Sequence, residues 1–100
     1  MNTEYKKIEA KIFNLQEWIT EINPEYLKEN FEALLIQCNF TILNFSEHYF
    51  DQQGYTCFWL LGESHLAIHT FPESNKTYVE LSSCNEEKLN QFQKLMANET

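Results

Sequence analysis

The 100-residue sequence predicts an α+β fold: a two-layer α/β sandwich in which an antiparallel sheet carries two helices on one face. Three observations lead there. Two segments space their apolar residues at helical intervals. Between them, strand-like runs follow one another with links too short for parallel crossovers. Apolar residues make up 43% of the chain and aromatics 15%, enough for a packed core but, at this length, for one domain spanning 1–100.

In order along the chain, Ile8, Ala10 and Ile12 alternate with Lys7, Glu9 and Lys11, the period-two pattern of a half-buried strand. Asn14 to Ile22 reads as a loop with a helical turn. Asn23-Pro24 marks a helix start, with Asn as N-cap and Pro in the first helical position. Leu27, Phe31, Leu34, Leu35 and Cys38 then form an apolar stripe that ends near Asn39. Phe40 to Phe50 reads as a strand. Asp51 to Gly54 is a turn in which Gly54 is free to take positive φ. Tyr55 to Leu61, nearly all apolar, is a central strand. Ser64 to Phe71 and Thr77 to Ser83 are strands joined by a turn over Pro72 to Lys76. Glu86 to Met96 is the second helix, with Leu89, Phe92, Leu95 and Met96 on one side. The order is β-α-β-β-β-β-α.

Charge narrows the function. Seven Lys and Arg stand against fifteen Asp and Glu, for a net charge of −8. Nucleic acid is not an expected partner, because phosphate contacts need a basic patch. An anionic membrane surface is disfavoured too, and no apolar run approaches the roughly 20 residues of a membrane helix. The N-terminal residues lack the apolar core of a secretory signal, and three cysteines without a C-x-x-C suggest free thiols, so a cytoplasmic location is expected.

The chemistry-bearing residues gather in "LLGESHLAIHTFPE", residues 60–73. Gly62-Glu63-Ser64-His65-Leu66 lacks the second glycine of a hydrolase nucleophile elbow, and no helix follows it. His65 and His69, four apart on a strand, are separated by about 13 Å, too far to share a metal ion, and no metal site is expected. Read singly, Ser64 is a satisfied polar residue, Cys84 a small buried apolar residue and Thr56 a strand former. Phe50 and Phe71 are then core or edge aromatics, and Glu73 a solvated turn carboxylate.

Together they resemble a family signature. Glu63-Ser64-His65, Ile68-His69-Thr70 and Pro72-Glu73 match the pattern ESH-x-x-IHT-x-PE of the short prokaryotic S-adenosylmethionine decarboxylases. "FDQQGYT" (Phe50 to Thr56) resembles that family's Phe, Gly and Ser/Thr segment, and Cys84 falls where the family keeps a cysteine closing a strand. The sequence departs from the pattern at three places. Phe71 stands where tryptophan is usual, Gly62 where a small residue with a Cβ is usual, and Asn85 where glycine is usual. Family members also continue into another strand after the last helix, so an exposed sheet edge is expected here.

The resemblance implies a proenzyme that cuts itself. The scissile bond is then Glu63–Ser64: the Ser64 hydroxyl attacks the Glu63 carbonyl, the resulting ester is eliminated, and hydrolysis leaves a pyruvoyl group at the head of a 64–100 α chain, with 1–63 as the β chain. A ketone conjugated to an amide is the electron sink that no ordinary side chain provides. The resemblance assigns His69 and Thr56 to processing and Cys84 to proton return at the substrate α-carbon. It assigns Phe50 to stacking on adenine, Glu73 to the ribose hydroxyls, and Phe71 to the substrate site. It implies S-adenosylmethionine as substrate and spermidine synthesis as the destination of the product. A relative acting on ornithine or arginine, or a non-catalytic homologue that regulates a true decarboxylase, are the alternatives. Strand geometry adds that Ser64 and His69, five apart, point to opposite faces about 16 Å from each other. The expected site is therefore composite in a homodimer, with Ser64 and Cys84 from one protomer and Phe50, Thr56, His69 and Glu73 from its twin.

Overall fold

The computed structural model describes residues 11–98. They form β1 (Phe13–Ile19), α1 (Pro24–Gln37), β2 (Ile42–Tyr49), β3 (Tyr55–Leu61), β4 (Ser64–Phe71), β5 (Lys76–Ser83) and α2 (Glu86–Ala97). The five strands make one antiparallel sheet in the order β1-β5-β4-β3-β2. Helix α1 carries the chain from one edge strand to the other. Both helices bury their apolar stripes against the same face, in one core cluster with Tyr55, Cys57, Trp59 and Leu61 of β3, Leu66 and Ile68 of β4, and Val79 and Leu81 of β5. The fold is the α+β sandwich expected.

The helix starts follow from side-chain chemistry. Asn23 Oδ1 accepts the Tyr26 N–H at 3.0 Å, and Pro24 occupies the first turn, where a missing N–H costs nothing. Helix α1 ends at Gln37 because Asn39 takes a left-handed conformation, φ 65°, which asparagine tolerates better than most residues. Asn85 caps α2 in the same way as Asn23 caps α1, accepting the Lys88 N–H at 3.0 Å. Over the centre of the sheet, the fully buried Trp59 donates its indole N–H to Glu32 of α1 at 3.2 Å, so its one polar atom is satisfied. Phe92 of α2 packs against Phe31 of α1 and Phe40, with ring centroids 6.0 and 6.5 Å away.

Four expectations need correction or limits. The first strand lies at Phe13–Ile19, inside the segment read as a loop, while the alternation at Ile8 and Ala10 falls outside the described residues. Leu15 and Ile19 do face the core, but a glutamate (Glu17) occupies the position between them and Trp18 lies on the outer side, which breaks the hydrophobic alternation. Strand β2 is shorter than Phe40–Phe50: Phe40 turns into the core beneath α2, and Phe50 belongs to the following turn. In that turn Gln53, not Gly54, has positive φ, at 69°. A Cβ at Gly54 would meet the exposed Phe50 ring at 3.4 Å, an ordinary van der Waals contact. Finally, Pro72–Ser74 makes a single 3-10 turn, closed by left-handed Asn75.

No helix among the described residues is long and apolar enough to cross a membrane.

Candidate active site

Strand pairing decides which site residues can meet. In β4 the even-numbered positions 66, 68 and 70 are buried under the helices, and the odd-numbered side chains face the open side of the sheet. Ser64 therefore has helix-side parity and His69 open-side parity. They also lie at opposite ends of the strand. Ser64 pairs with Leu61 and Ser83 at one end, and His69 pairs with Thr56 and Tyr78 toward the other.

At the Ser64 end, a two-residue turn, Gly62-Glu63, joins β3 to β4. Such tight connections require residues that accept unusual backbone angles. The left-handed position falls on Glu63, φ 57°, and not on Gly62. A residue with a Cβ in that conformation stores strain on the order of 1 kcal/mol or more. Gly62 itself does not take a positive φ, and a Cβ there would meet only Thr41 at 3.8 Å, so the turn has room for the family's usual residue. The peptide bond following the strained residue is Glu63–Ser64.

The Ser64 hydroxyl donates to Ser83 Oγ at 2.8 Å. Ser83 is 1% exposed and also accepts the Asn85 N–H at 3.0 Å. Cys84 follows at once, between the end of β5 and the cap of α2. These residues, with Phe40, Glu63 and Lys88, line a cleft of about 180 Å³. Of the three free cysteines, Cys38 and Cys57 are buried and Cys84 is exposed, against its reading as a small buried residue. Burial raises the Cys38 thiol above its ordinary pKa and pushes Cys57 up to about 12, so neither is an accessible proton donor near neutral pH. Lys88 Nζ reaches the Asn39 carbonyl at 2.8 Å and lies 5.6 Å from the Phe40 ring centroid, closing one wall.

The other end of the sheet gathers the remaining candidates. Thr56 Oγ1 and His69 Nδ1 are 2.9 Å apart across the β3–β4 ladder. His69 stacks on Tyr78 of β5, with centroids 6.5 Å apart. Phe71 leans on Trp18 of β1 at 5.7 Å. Phe50 meets His48 edge-on at 4.5 Å, and its N–H is held by the Gly54 carbonyl at 2.8 Å. Glu73 is exposed in the 3-10 turn after β4. Phe50, Thr56, His69, Phe71 and Glu73 thus share one end of the sheet, while Glu63, Ser64 and Cys84 share the other. Sequence reasoning missed Ser83, Tyr78, Trp18 and Lys88. Ser83 carries the only local hint, as the neighbour of Cys84; Tyr78 and Trp18 become visible only through strand register, and Lys88 only through the seat of α2 beside Asn39 and Phe40.

A two-layer sandwich with a serine behind a strained hairpin residue and a cysteine in the same cleft defines the class of protein to compare. A family model described as S-adenosylmethionine decarboxylase matches residues 7–99, and the chain belongs to that family. Relatives named S-adenosylmethionine decarboxylase proenzyme include one from Prochlorococcus marinus (strain MIT 9313), 34% identical over 69% of this chain and 56% of its own. Another, from Brevibacillus brevis, is 37% identical over 64% of this chain and 48% of its own. A third, from Parasynechococcus marenigrum, is 48% identical over 44% of this chain and 34% of its own. The matched stretch thus spans between about a third and a little over half of the length of these relatives. The crystal structure of the adenosylmethionine decarboxylase from Aquifex aeolicus superposes with a TM-score of 0.68 at 23% identity, over 83% of this chain and 72% of that one. That likeness speaks to the fold.

Proposed function

We propose that this chain is a pyruvoyl-dependent S-adenosylmethionine decarboxylase that processes itself at Glu63–Ser64 and supplies decarboxylated S-adenosylmethionine for spermidine synthesis. One observation carries the reading: Ser64 follows a left-handed glutamate and shares its cleft with Cys84, the exposed cysteine. The left-handed Glu63 adds strain to the intact precursor at the residue whose carbonyl is attacked. The residues fit a group derived from Ser64, since its Oγ is held in place by a buried hydroxyl and a thiol lines the same space. A pyruvoyl group there would supply the electron sink for decarboxylation.

The chain's own residues account for the other tasks. Thr56 and His69, already in hydrogen-bond contact, form a donor–acceptor pair suited to moving a proton during processing. Cys84, exposed and lining the Ser64 cleft, returns a proton to the substrate in this reading after loss of carbon dioxide. Phe50, half-exposed at 52%, offers a ring face for adenine, and Glu73 offers carboxylate oxygens to ribose hydroxyls. Phe71, beside Trp18, flanks the same region. Processing divides the chain into a β chain of 1–63 and an α chain of 64–100.

The site is shared between two protomers. The roughly 16 Å between Ser64 and His69 exceeds any hydrogen bond, and the cleft of about 180 Å³ is smaller than the roughly 300–1,000 Å³ of sites that enclose a ligand of drug size. The open face of the sheet leaves Trp18, Phe58, Leu60 and Phe71 exposed, at 58, 37, 44 and 40%. Apolar patches of this kind favour association. Two-fold pairing of these open faces with strands reversed sets the Thr56–His69 end of one sheet over the Gly62–Glu63 turn that precedes Ser64 in the other.

Release of labelled carbon dioxide from carboxyl-labelled S-adenosylmethionine tests the substrate. The proposal expects release from that compound and none from ornithine or arginine. Release from a basic amino acid alone contradicts it.

A further inference from the structure

We infer that Ser83 is the positioning residue for the self-cleaving nucleophile, holding the Ser64 hydroxyl in the rotamer from which it attacks the Glu63 carbonyl. The inference rests on the proposed processing at Glu63–Ser64 and assigns a task to a residue outside the family signature.

Hydrogen-bond accounting gives the direction of the contact. A serine hydroxyl offers one proton and two lone pairs. Ser83 Oγ accepts the Asn85 N–H at 3.0 Å, and the Asn85 carbonyl, 3.4 Å away, is the acceptor on offer to its own proton. One lone pair remains, and Ser64 Oγ, 2.8 Å away, fills it by donating. Ser64's proton is therefore committed to Ser83, and its own lone pairs are left free. Ser83 itself is rigid: it is 1% exposed, lies in the sheet between Ser64 and Phe13, and is tied to the residue that caps α2. Ser64 is half-buried at the end of its strand, where an unheld hydroxyl would sample several rotamers. Fixing one of them is the kind of contribution that orientation makes to an intramolecular reaction.

The step balances without an outside reagent. The bond from Ser64 Oγ to the Glu63 carbonyl carbon forms, the bond from that carbon to the Ser64 nitrogen breaks, and the hydroxyl proton ends on the freed nitrogen. Ser83 orients the proton and does not keep it.

The test follows the uncut full-length chain to fragments over time in wild type, Ser83→Ala, Ser83→Thr and Ser83→Val. Threonine and valine have the same shape, so their difference isolates the hydroxyl even if alanine prevents folding. Ser83→Thr is expected within about threefold of wild type. Ser83→Val is expected at least about tenfold slower than Ser83→Thr, about 1.4 kcal/mol of barrier, when both are followed well below their melting temperatures, since valine also gives up the bond from the Asn85 N–H. Hydroxylamine, which cleaves esters but not amides, is expected to leave the slow Ser83→Val precursor uncut, because the block precedes the ester. Equal rates for Thr and Val overturn the inference, as does a hydroxylamine-sensitive precursor that places Ser83 after the attack. A wild-type chain that never cleaves overturns the processing reading itself, a result distinct from cleavage that ignores Ser83.

Discussion

Glu47 shows how much of this molecule turns on one side chain. Its carboxylate accepts the hydroxyl of buried Tyr55 at 2.7 Å and pairs with Lys28 of α1 at 3.1 Å. The Tyr55 hydrogen bond first, and Lys28 second, hold its pKa below the ordinary 4.5, while burial and the same carboxylate raise that of Tyr55. A carboxylate whose folded pKa is depressed stabilises the fold above its unfolded value, and that stability is lost as pH falls through the folded value. Comparing thermal melts of Glu47→Gln and wild type from pH 7 to pH 3 checks this. Wild type is expected to melt higher near neutrality, and the gap to close below about pH 4.5. A gap that is constant with pH assigns the effect to packing. At this scale the sequence was only partly legible. Ser64, His69 and Cys84 stood out through the resemblance to a family signature, but Ser83 and Tyr78 did not, because cross-strand neighbours are separated by a register no local pattern reveals.

Elements were most legible where a chemical signal marks their ends. Asn23-Pro24 announced α1, and the apolar run from Tyr55 to Leu61 matches β3 at both ends. Strand β1 was hidden because Glu17 and Trp18 exchange the usual sides of an edge strand. Asn85, a departure from the family's glycine, proves to be the N-cap of α2. Glycine is nearly as good an N-cap as asparagine, whereas alanine costs about 1 kcal/mol. Asn85→Gly is therefore expected to lose only a few tenths of a kcal/mol in chemical denaturation, and Asn85→Ala about 1 kcal/mol. Equal losses for the two would show that the side chain matters for something besides the cap. The helix also opens beside Cys84, so the cap secures the backbone from which the thiol projects into the cleft.

For the whole molecule, the division of residues between two ends and two faces of one sheet is the governing fact. It was legible from sequence as a parity argument, since residues five apart on a strand cannot share a face. The proposed shared site predicts a specific complementation. Ser64→Ala chains lack the nucleophile and His69→Ala chains lack the proton-moving partner, so neither is expected to cleave alone. Mixed, the His69→Ala chain is expected to be cut, because in the proposed dimer its own Ser64 would meet the intact His69 of the other protomer. No cleavage in the mixture contradicts the shared site, and cleavage of His69→Ala alone contradicts the assigned role of His69.

The most direct measurement is the intact mass of the purified, folded wild-type chain after prolonged incubation. Two fragments are expected, one ending at Glu63 and the other beginning with a pyruvoyl group in place of Ser64. A single chain that keeps its serine and its full mass contradicts the account.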